Sequence, residues 1–408
     1  MMTQMTMSDL LSQETKRHPS AFSARLRKQG SLVSFTDDVL SMGKAWIVTT
    51  YDDAITLLKD PRFIKGKPSP LSGEQGPFEP CPETSSRLLT WRRDMLNTNP
   101  PDHTRLRHLV SKAFTPRMIE QLRPRIQQIT DDLLDAAQDQ GQMDLIADFA
   151  LPLPMTVISE ILGIPLADRE PFRTWTQTLL TAVGNPEIEG AAIATQEAFV
   201  HYIQTLLTEK RVHPDSSLTS NLVQAEEQGD RLSEIELISM IWLLIVAGHE
   251  TTVNLIGTGV LELLEHPEQL LLLRRDASLL PSAIEELLRS VNPVMYISRY
   301  ASEDVPLHGQ VIHKGELVMV ALIGANSDPH QFPHPDRLDI TREERQHLAF
   351  GKGIHICLGV PLACLEGQIA IGTLLRRLPH LRLACEPEHL IWTRAFGLRG
   401  VMSLPVLF

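Results

Sequence analysis

The ten residues FGKGIHICLG, residues 350–359, place a histidine two positions before a cysteine and set both among glycines. A lone cysteine is most often a buried structural thiol. A cysteine that binds a metal does so as a thiolate, in an electropositive and partly open niche. Gly351 and Gly353 permit a tight loop and the close approach of a flat ligand, and a helix beginning just after Cys357 would favour the thiolate. The stretch by itself leaves both interpretations open.

The composition disfavours several classes of protein. The chain has 408 residues and a net charge of −12, whereas a nucleic-acid-binding protein would carry a basic footprint. Apolar residues make up 43% and charged residues 22%, which is ordinary for a globular protein. None of the four cysteines stands in a CxxC pair, which disfavours zinc ribbons and thioredoxin-type redox sites. The four are Cys81, Cys357, Cys364 and Cys385.

No segment of the sequence is typical of membrane targeting. Residues 1–19 lack the continuous apolar core of a signal peptide. The densest apolar run, Met240–Ala247, is far shorter than the roughly 20 residues that span a bilayer. Few cysteines in so long a chain fit a reducing compartment. We therefore expect a cytoplasmic protein without a membrane span.

Most of the chain after residue 100 has helical patterns. The longest, Ser233–Leu264, is mainly apolar, contains no proline and opens with Ser233 and Glu236 spaced as a capping box. The other predicted helices are Pro116–Gln138, Ala167–Ala182, Ile193–Arg211, Pro267–Arg274, Leu280–Ser290 and Gly359–Leu378. The predicted strands are Ala45–Thr49, Val305–Leu307, Val311–Ile312 and Leu317–Val320. The proline- and glycine-rich segment 62–101 is either a surface loop or a lid or binding loop.

The motif AGHETT, residues 247–252, lies inside the long apolar helix. Gly248 removes a side chain from one face of the helix. The hydroxyl of Thr251 can bond the carbonyl of Ala247, four residues back, and bend or open the helix. Glu250 places a carboxylate beside that hydroxyl, and such a pair is suited to relaying protons. The alternative is a polar notch whose hydrogen bonds are satisfied within the core.

The motif EELLR, residues 285–289, pairs two opposite charges on one helix face. Glu286 and Arg289 stand three residues apart, a spacing that brings side chains together on a helix. An exposed ion pair of this kind contributes little stability, and the pattern is frequent by chance.

The motif PPDHTRLRHL, residues 100–109, combines a capping residue with two cations. Asp102 can cap a helix on which His103 and Arg107, four residues apart, share a face. Two cationic donors suit a carboxylate well. The alternative is a solvated basic face.

The pattern FxxGxHxCxG resembles the haem-binding loop of the cytochrome P-450 superfamily of haem-thiolate monooxygenases, and the other three motifs occur in the order found in that family. The resemblance extends from about Ala45 to the end of the chain. It implies a mainly α-helical cytochrome P-450 fold, with a triangular helical bulk and a small β-rich region. Haem b (iron protoporphyrin IX) is expected between the long central helix and the helix after Cys357. The resemblance also implies one catalytic domain over residues 1–408, against the two or three that length alone suggests.

The resemblance implies a set of functional residues. Cys357 is the expected iron ligand, Thr251 and Glu250 the expected pair that delivers protons for dioxygen cleavage, and Glu286 with Arg289 a buried structural pair. The expected haem contacts are His103, Arg107, Ala247, Gly248, Arg299, Phe350, Gly351, His355, Cys357 and Gly359. The expected pocket residues are Leu243, Leu244, Ala247, Val294, Met295, Tyr296, Phe396 and Leu398, with segments 62–101 and 182–192.

The implied reaction is insertion of one oxygen atom of O2 into an apolar small molecule, by hydroxylation or epoxidation. The implied substrates are polyketide or macrolide, fatty-acyl, terpenoid or steroid-like molecules. Because the family-like region fills the chain, electrons should come from a separate ferredoxin or flavodoxin with its reductase. Arg105, Lys112 and Lys352 are candidate docking cations, and a monomer is expected.

Three alternatives and one departure remain. A peroxide-driven peroxygenase is disfavoured by the Glu250–Thr251 pair, and a non-catalytic haem sensor by the intact proton-relay residues. A cysteine hydrolase lacks a visible partner histidine and acid. The departure is Cys364, which stands where relatives carry an arginine. Seven residues are close to two helical turns, so Cys364 should lie near the Cys357 face as a bystander thiol.

Overall fold

The structure, a computed structural model, describes residues 5–37, 43–66, 93–182, 189–227, 229–393, 395 and 397–408. Its helices are α1 Met7–Leu11, α2 Gln13–Arg17, α3 Pro19–Arg27, α4 Tyr51–Lys59, α5 Asp102–Ala113, α6 Pro116–Gln121, α7 Arg123–Ala137, α8 Pro152–Leu162, α9 Arg169–Ala182, α10 Glu189–Val212, α11 Leu218–Gln224, α12 Glu234–Glu265, α13 Pro267–Arg275, α14 Leu280–Val291, α15 Leu322–Asn326 and α16 Val360–Arg377. Its strands are β1 Leu32–Asp37, β2 Gly43–Val48, β3 Phe63–Ile64, β4 Gln142–Asp144, β5 Glu226–Glu227, β6 Asp230–Arg231, β7 Tyr296–Ala301, β8 Val305–Leu307, β9 Gln310–Ile312, β10 Leu317–Ala321, β11 Arg382–Leu383 and β12 Pro405–Leu407. The expectation of a mainly helical chain with little sheet is confirmed.

The chain divides into two compact units. The first unit comprises Met1–Ile64, Arg123–Leu153 and Thr251–Phe408. The second comprises Lys65–Leu122 and Pro154–Glu250. The division between the units falls within helix α12, whose residues up to Glu250 belong to the second unit and those from Thr251 to the first.

A five-stranded sheet in the first unit has the strand order β1-β2-β10-β7-β3. Strand β10 runs parallel to β2 and antiparallel to β7. All five residues of β10 are buried, as expected for a strand covered on both faces. Val318 and Val320 pack into one apolar cluster and Met319 into another, because successive side chains alternate between the faces. The sheet thus fixes β7, the strand that carries Arg299.

Helix α12 begins with the predicted capping box. The Ser233 N–H donates to Glu236 Oε2 at 2.8 Å, and the Glu236 N–H donates back to Ser233 Oγ at 3.4 Å. By length and composition this helix could cross a membrane, but 61% of its most apolar window is buried inside the protein. A buried core helix has the same composition.

The prediction of one helix over Pro116–Gln138 is wrong. The segment forms two helices, α6 and α7, which are separated at Leu122. Pro124 lacks a backbone N–H and disfavours the helical conformation of the residue before it, so it is tolerated only in the first turn of a new helix. Residues 67–92 of the predicted loop and residues 183–188 lie outside the described residues.

Candidate active site

The cysteine loop is held by its own backbone. The Cys357 N–H donates to the Phe350 carbonyl at 2.9 Å, and the Ile356 N–H donates to the Gly353 carbonyl at 3.1 Å. Helix α16 begins at Val360, three residues after the cysteine. A Cβ built on Gly359 would lie 3.7 Å from Cys357 Sγ, so the sulfur lies over the start of this helix. The Cys357 side chain is exposed, and the positive end of the helix dipole favours its thiolate.

One of the two loop glycines is required for a reason that the sequence did not reveal. Gly353 has a φ of +75°, and a Cβ there would lie 2.4 Å from the carbonyl oxygen of Leu58. Any side chain would therefore collide with the end of helix α4 and strain the backbone. The close approach of the Leu58 carbonyl is therefore a second reason for glycine at this position, in addition to the close approach of a flat ligand that remains a prediction.

Cys364 belongs to a small polar cluster behind the cysteine loop. Its Sγ lies 3.7 Å from Glu285 Oε1, and the other oxygen of that carboxylate accepts a hydrogen bond from His347 Nε2 at 3.0 Å. Burial, with help from the charge of Glu285, raises the pKa of Cys364 to about 12. The hydrogen bond from His347 lowers the pKa of Glu285. Cys364 is therefore a protonated and unreactive thiol, as the interpretation of a bystander requires.

The AGHETT segment contains one exposed residue in the middle of a mainly apolar helix. Ala247 is exposed, and Val246 and Gly248 on either side of it are half-buried. A Cβ on Gly248 would make only ordinary contact with Ile158 Cδ1, at 3.5 Å, so packing within the second unit does not demand a glycine there. His249 is buried and its Nδ1 lies 3.1 Å from the Ile245 carbonyl, while burial lowers its pKa, so the ring is neutral. Burial raises the pKa of the adjacent Glu250.

Glu366 is a candidate functional residue that the sequence reasoning missed. It lies on helix α16 with its side chain 1% exposed, and it hydrogen-bonds Thr252, the neighbour of Thr251. Burial raises the pKa of this carboxyl to about 8. The available signal was its position, because Leu362 and Ile369 place Glu366 on the apolar face of an amphipathic helix.

Replacing Glu366 with glutamine should flatten the dependence of stability on pH. Between pH 4.5 and about 8 the folded carboxyl keeps a proton that the unfolded chain has lost. The parent protein should therefore lose stability as pH rises through this range, by at most about 1.4 kcal/mol per pH unit. Urea denaturation of the holoprotein at several pH values measures the slope. The exposed Glu268→Gln variant should keep the parent slope, and an unchanged slope in Glu366→Gln would contradict the assignment.

The buried guanidinium of Arg299 on β7 bears on whether the residues of the first unit fit the haem that the resemblance implies. Its side chain is 3% exposed, and burial lowers its pKa to about 10. Within the described ranges no carboxylate pairs with it, and its Nη1 donates to the Ser298 carbonyl at 2.9 Å. A buried guanidinium is costly unless an anion accompanies it, which a haem propionate would supply. With the exposed Cys357 and the half-buried His355, the residues present fit the group.

In the second unit His103 and Arg107 lie one turn apart on helix α5. His103 is 2% exposed and Arg107 is half-buried. The expected cap by Asp102 is wrong, because Asp102 is the first helical residue and Pro101 occupies the capping position. Proline at that position sets the backbone without a side-chain hydrogen bond.

Arg105, one of the expected docking cations, is already paired. Its guanidinium contacts Glu236 and lies 3.4 Å from Asp230 Oδ2. These two carboxylates neutralise its charge, so the expectation that Arg105 attracts an acidic partner is not supported. Lys112 and Lys352 are exposed.

The expected pocket residues of the first unit are hydrogen-bonded neighbours. The Met295 N–H donates to the Gly397 carbonyl at 2.7 Å, and Val294 pairs with Leu398 in an isolated bridge. Val294 and Leu398 are half-buried, whereas Met295 is fully buried and Tyr296 is 6% exposed. In the second unit Leu243 is buried and Leu244 half-buried on α12. Phe396 lies outside the described residues.

Comparison with known proteins bears on the whole chain. The family model described as Cytochrome P450 matches residues 78–392. Cytochrome P450 CYP107DY1 of Priestia megaterium is 51% identical over 412 residues, covering 100% of both chains. The solved structure of the bacillaene polyketide synthase cytochrome P450 PksS of Bacillus subtilis superposes with a TM-score of 0.88 at 40% identity, covering 97% of this chain and 98% of that one. Myxobacterial CYP267B1, solved with myristic acid, gives a TM-score of 0.89 at 43% identity, covering 98% and 99%.

These matches extend over the motifs and the fold already described. A family match across residues 78–392 and a relative 51% identical along its full length establish that the chain belongs to the cytochrome P450 family, as a monooxygenase whose cofactor is haem b.

Proposed function

We propose that Cys357 is the thiolate ligand of the haem iron. The observation that carries the proposal is the exposed Cys357 sulfur over the first turn of α16, where the dipole of the helix favours a negative charge. When bound, the haem supplies the activation of dioxygen, and a thiolate ligand favours the cleavage of the O–O bond. The remaining chemistry is positioning, exclusion of water and control of protons by the protein.

The cations proposed to hold the haem propionates, as the family resemblance implies, are Arg299, His355, His103 and Arg107. The buried charge of Arg299 supports this role most directly. The residues proposed to lie against the ring are Ala247, Gly248, Phe350, Gly351 and Gly359. We further propose that residues 1–408 form a single catalytic domain.

Glu250 and Thr251 are proposed to control proton delivery. The raised pKa of Glu250 brings that carboxyl closer to neutral pH, where a proton donor and acceptor works best. Thr251 follows it on the same helix and offers a hydroxyl that can pass a proton on. The pair also argues for a monooxygenase that uses dioxygen and electrons rather than peroxide.

The substrate is proposed to be a long apolar molecule of polyketide or fatty-acyl type. One relative belongs to a polyketide synthase and another binds myristic acid. The described pocket residues Leu243, Leu244, Val294 and Leu398 are apolar, which suits such chains. Screening a library of these compounds for a shift of the Soret band would test the class. A set of hits restricted to small polar molecules would overturn it.

Monooxygenases of this family take electrons from a redox partner. We propose that the donor is a ferredoxin or a flavodoxin with its reductase, that Lys112 and Lys352 contribute to its docking, and that the protein is a cytoplasmic monomer. Charge reversal at Lys352 should slow electron transfer if this residue contacts the donor. An unchanged rate would remove Lys352 from the docking surface.

Replacing Thr251 with alanine should separate electron consumption from product formation. Without the hydroxyl, we expect product to fall by about 100-fold, at the lower end of the roughly 10²- to 10⁴-fold contribution of an acid–base group, while peroxide release rises. The measurement compares NADPH used, peroxide released and product formed, with a surrogate ferredoxin and reductase and a substrate from the screen.

Thr251→Ser keeps a hydroxyl and should retain most of the coupling. Equal product per NADPH in Thr251→Ala and the parent would contradict the role of Thr251. Turnover with peroxide alone, at the rate of the reconstituted system, would instead favour a peroxygenase.

A further inference from the structure

A short C-terminal segment lies beside the proposed pocket. We call the described residues Thr393, Ala395, Gly397 and Leu398 the pocket turn. Its far end is joined to the residues after α14, because the Gly397 carbonyl accepts the Met295 N–H and Leu398 bridges to Val294. Two proposed pocket segments of the first unit are therefore joined, and what holds the near end of the turn bears on the position of both.

Helix α2, almost 380 residues earlier in the sequence, holds that near end. Lys16 Nζ donates to the Thr393 carbonyl at 2.6 Å and to the Ala395 carbonyl at 2.9 Å. Gln13 adds a reciprocal pair with the backbone of Trp392, donating to its carbonyl and accepting its N–H, each at 2.9 Å. All these contacts reach backbone atoms, so they fix the path of the chain and not merely the position of a side chain.

Lys16 is an unusual residue to find in this position. Its side chain is fully buried, and burial lowers its pKa to about 8. Among the residues that the structure describes no carboxylate pairs with Lys16. Its ammonium group donates to the carbonyls of Thr393 and Ala395. Burying an ammonium group is costly unless its donors are satisfied. Removing the ammonium group would leave the Thr393 and Ala395 carbonyls without these hydrogen bonds, and moving the carbonyls away would leave a buried charge unsatisfied.

Arg399, which directly follows the pocket turn, connects helix α2 to the end of α14. Its Nε donates to the carbonyl of Lys16 at 2.7 Å, and its Nη1 donates to the carbonyl of Val291, the last residue of α14, at 2.8 Å. Its guanidinium lies 4.5 Å from the ring centroid of Trp392. Helix α2, the end of α14 and the pocket turn are thus connected through two buried cations.

We propose that Lys16 is a positioning residue that sets the shape of the substrate pocket by holding the pocket turn through the carbonyls of Thr393 and Ala395. The inference rests on the proposed function, in which Val294 and Leu398 line that pocket. Lys16 touches neither substrate nor haem in this role. Its loss should change which ligands fit without changing the iron ligand.

The test uses two iron ligands of different size on the haem-loaded protein. Imidazole reports the iron itself, while 4-phenylimidazole also reports the space around it. In Lys16→Met we expect the affinity for 4-phenylimidazole to change by about 5- to 20-fold, equivalent to about 1 to 2 kcal/mol, because a displaced pocket turn alters the space around that ligand. Imidazole affinity should change by less than about 2-fold, because that ligand is too small to reach the turn. Amide hydrogen exchange at Gly397 and Leu398 should accelerate.

Lys28→Met, at an exposed lysine after α3, is the matched control and should change neither affinity. If Lys16→Met fails to fold, Gln13→Leu removes the Trp392 pair from the same helix and should shift the two affinities in the same unequal way. Equal changes for both ligands, with unchanged exchange, would overturn the inference alone. A parent protein whose reduced carbon-monoxide complex lacks the thiolate band would overturn the proposed function as well.

Discussion

Cys357→His should remove the strongly red-shifted Soret band that the reduced carbon-monoxide complex of a thiolate-ligated haem gives. Histidine can still bind iron, so we expect a coloured protein with the spectrum of a histidine-ligated haem. Monooxygenation should fall by at least about 1,000-fold, or about 4 kcal/mol in the barrier, because a neutral ring donates less electron density than a thiolate. Difference spectroscopy and product analysis measure the two effects separately.

Cys364→Ala is the matched control for this experiment. Cys364 lies seven residues further on, and its thiol contacts Glu285 at 3.7 Å. Its raised pKa keeps the thiol protonated, so it does not compete for iron. The variant should keep the red-shifted band and nearly all activity. A band that survives in Cys357→His, or is lost in Cys364→Ala, would show that the iron ligand has been assigned to the wrong cysteine.

Glu286→Gln should destabilise the protein by about 3–5 kcal/mol, the cost of breaking a buried ion pair from one side. Glu286 contacts Arg289 through both oxygens, at 2.7 and 2.8 Å, and accepts a third bond from Arg342 Nε at 3.1 Å. The three side chains are nearly inaccessible to water. Removing the one carboxylate leaves two guanidinium groups buried near each other. Urea denaturation and haem retention on heating measure the loss.

The exposed pair Glu170–Arg173 provides a control with the same spacing of three residues. Its charged atoms lie 2.6 Å apart, but its side chains are 72% and 43% exposed. Glu170→Gln should therefore cost less than about 0.5 kcal/mol, as is usual for surface pairs. If both variants lost similar stability, burial would not be what distinguishes the Glu286 pair.

Much of the fold could be predicted because its signals are local. The apolar period and the Ser233–Glu236 capping box located α12 within a residue of its observed start, and the bounds of α13 and α14 agree as closely. The N-terminal helices α1 to α3 and strand β7 were not predicted. Helices α1 to α3 are short, and helices of this length are marginal until they pack against other elements, as α1 and α3 do against the sheet. Strand β7 belongs to that sheet and depends on its pairing with β10 and β3, which are distant in sequence or short.

Those parts of the candidate site whose residues are close together in the sequence could be predicted. Cys357 stands three residues before helix α16, and Glu250 stands beside Thr251 on helix α12. Both arrangements can be found from sequence, because neighbours along the backbone are close in space. Glu366 was missed because a lone glutamate on a helix looks like a surface residue until its burial is known. The collision with Leu58 that a side chain at position 353 would make, across almost 300 residues of sequence, has no local signature either.

The sequence by itself determined the family, the position of Cys357 and the long helices, since these depend on spacings of a few residues. Only the tertiary structure decided what surrounds them. It paired Arg105 with acids, placed Glu285 against Cys364 and buried Lys16 beneath a turn that follows it by almost 380 residues. Such contacts arise when the hydrophobic core brings distant segments together and leaves their polar groups to find partners away from water.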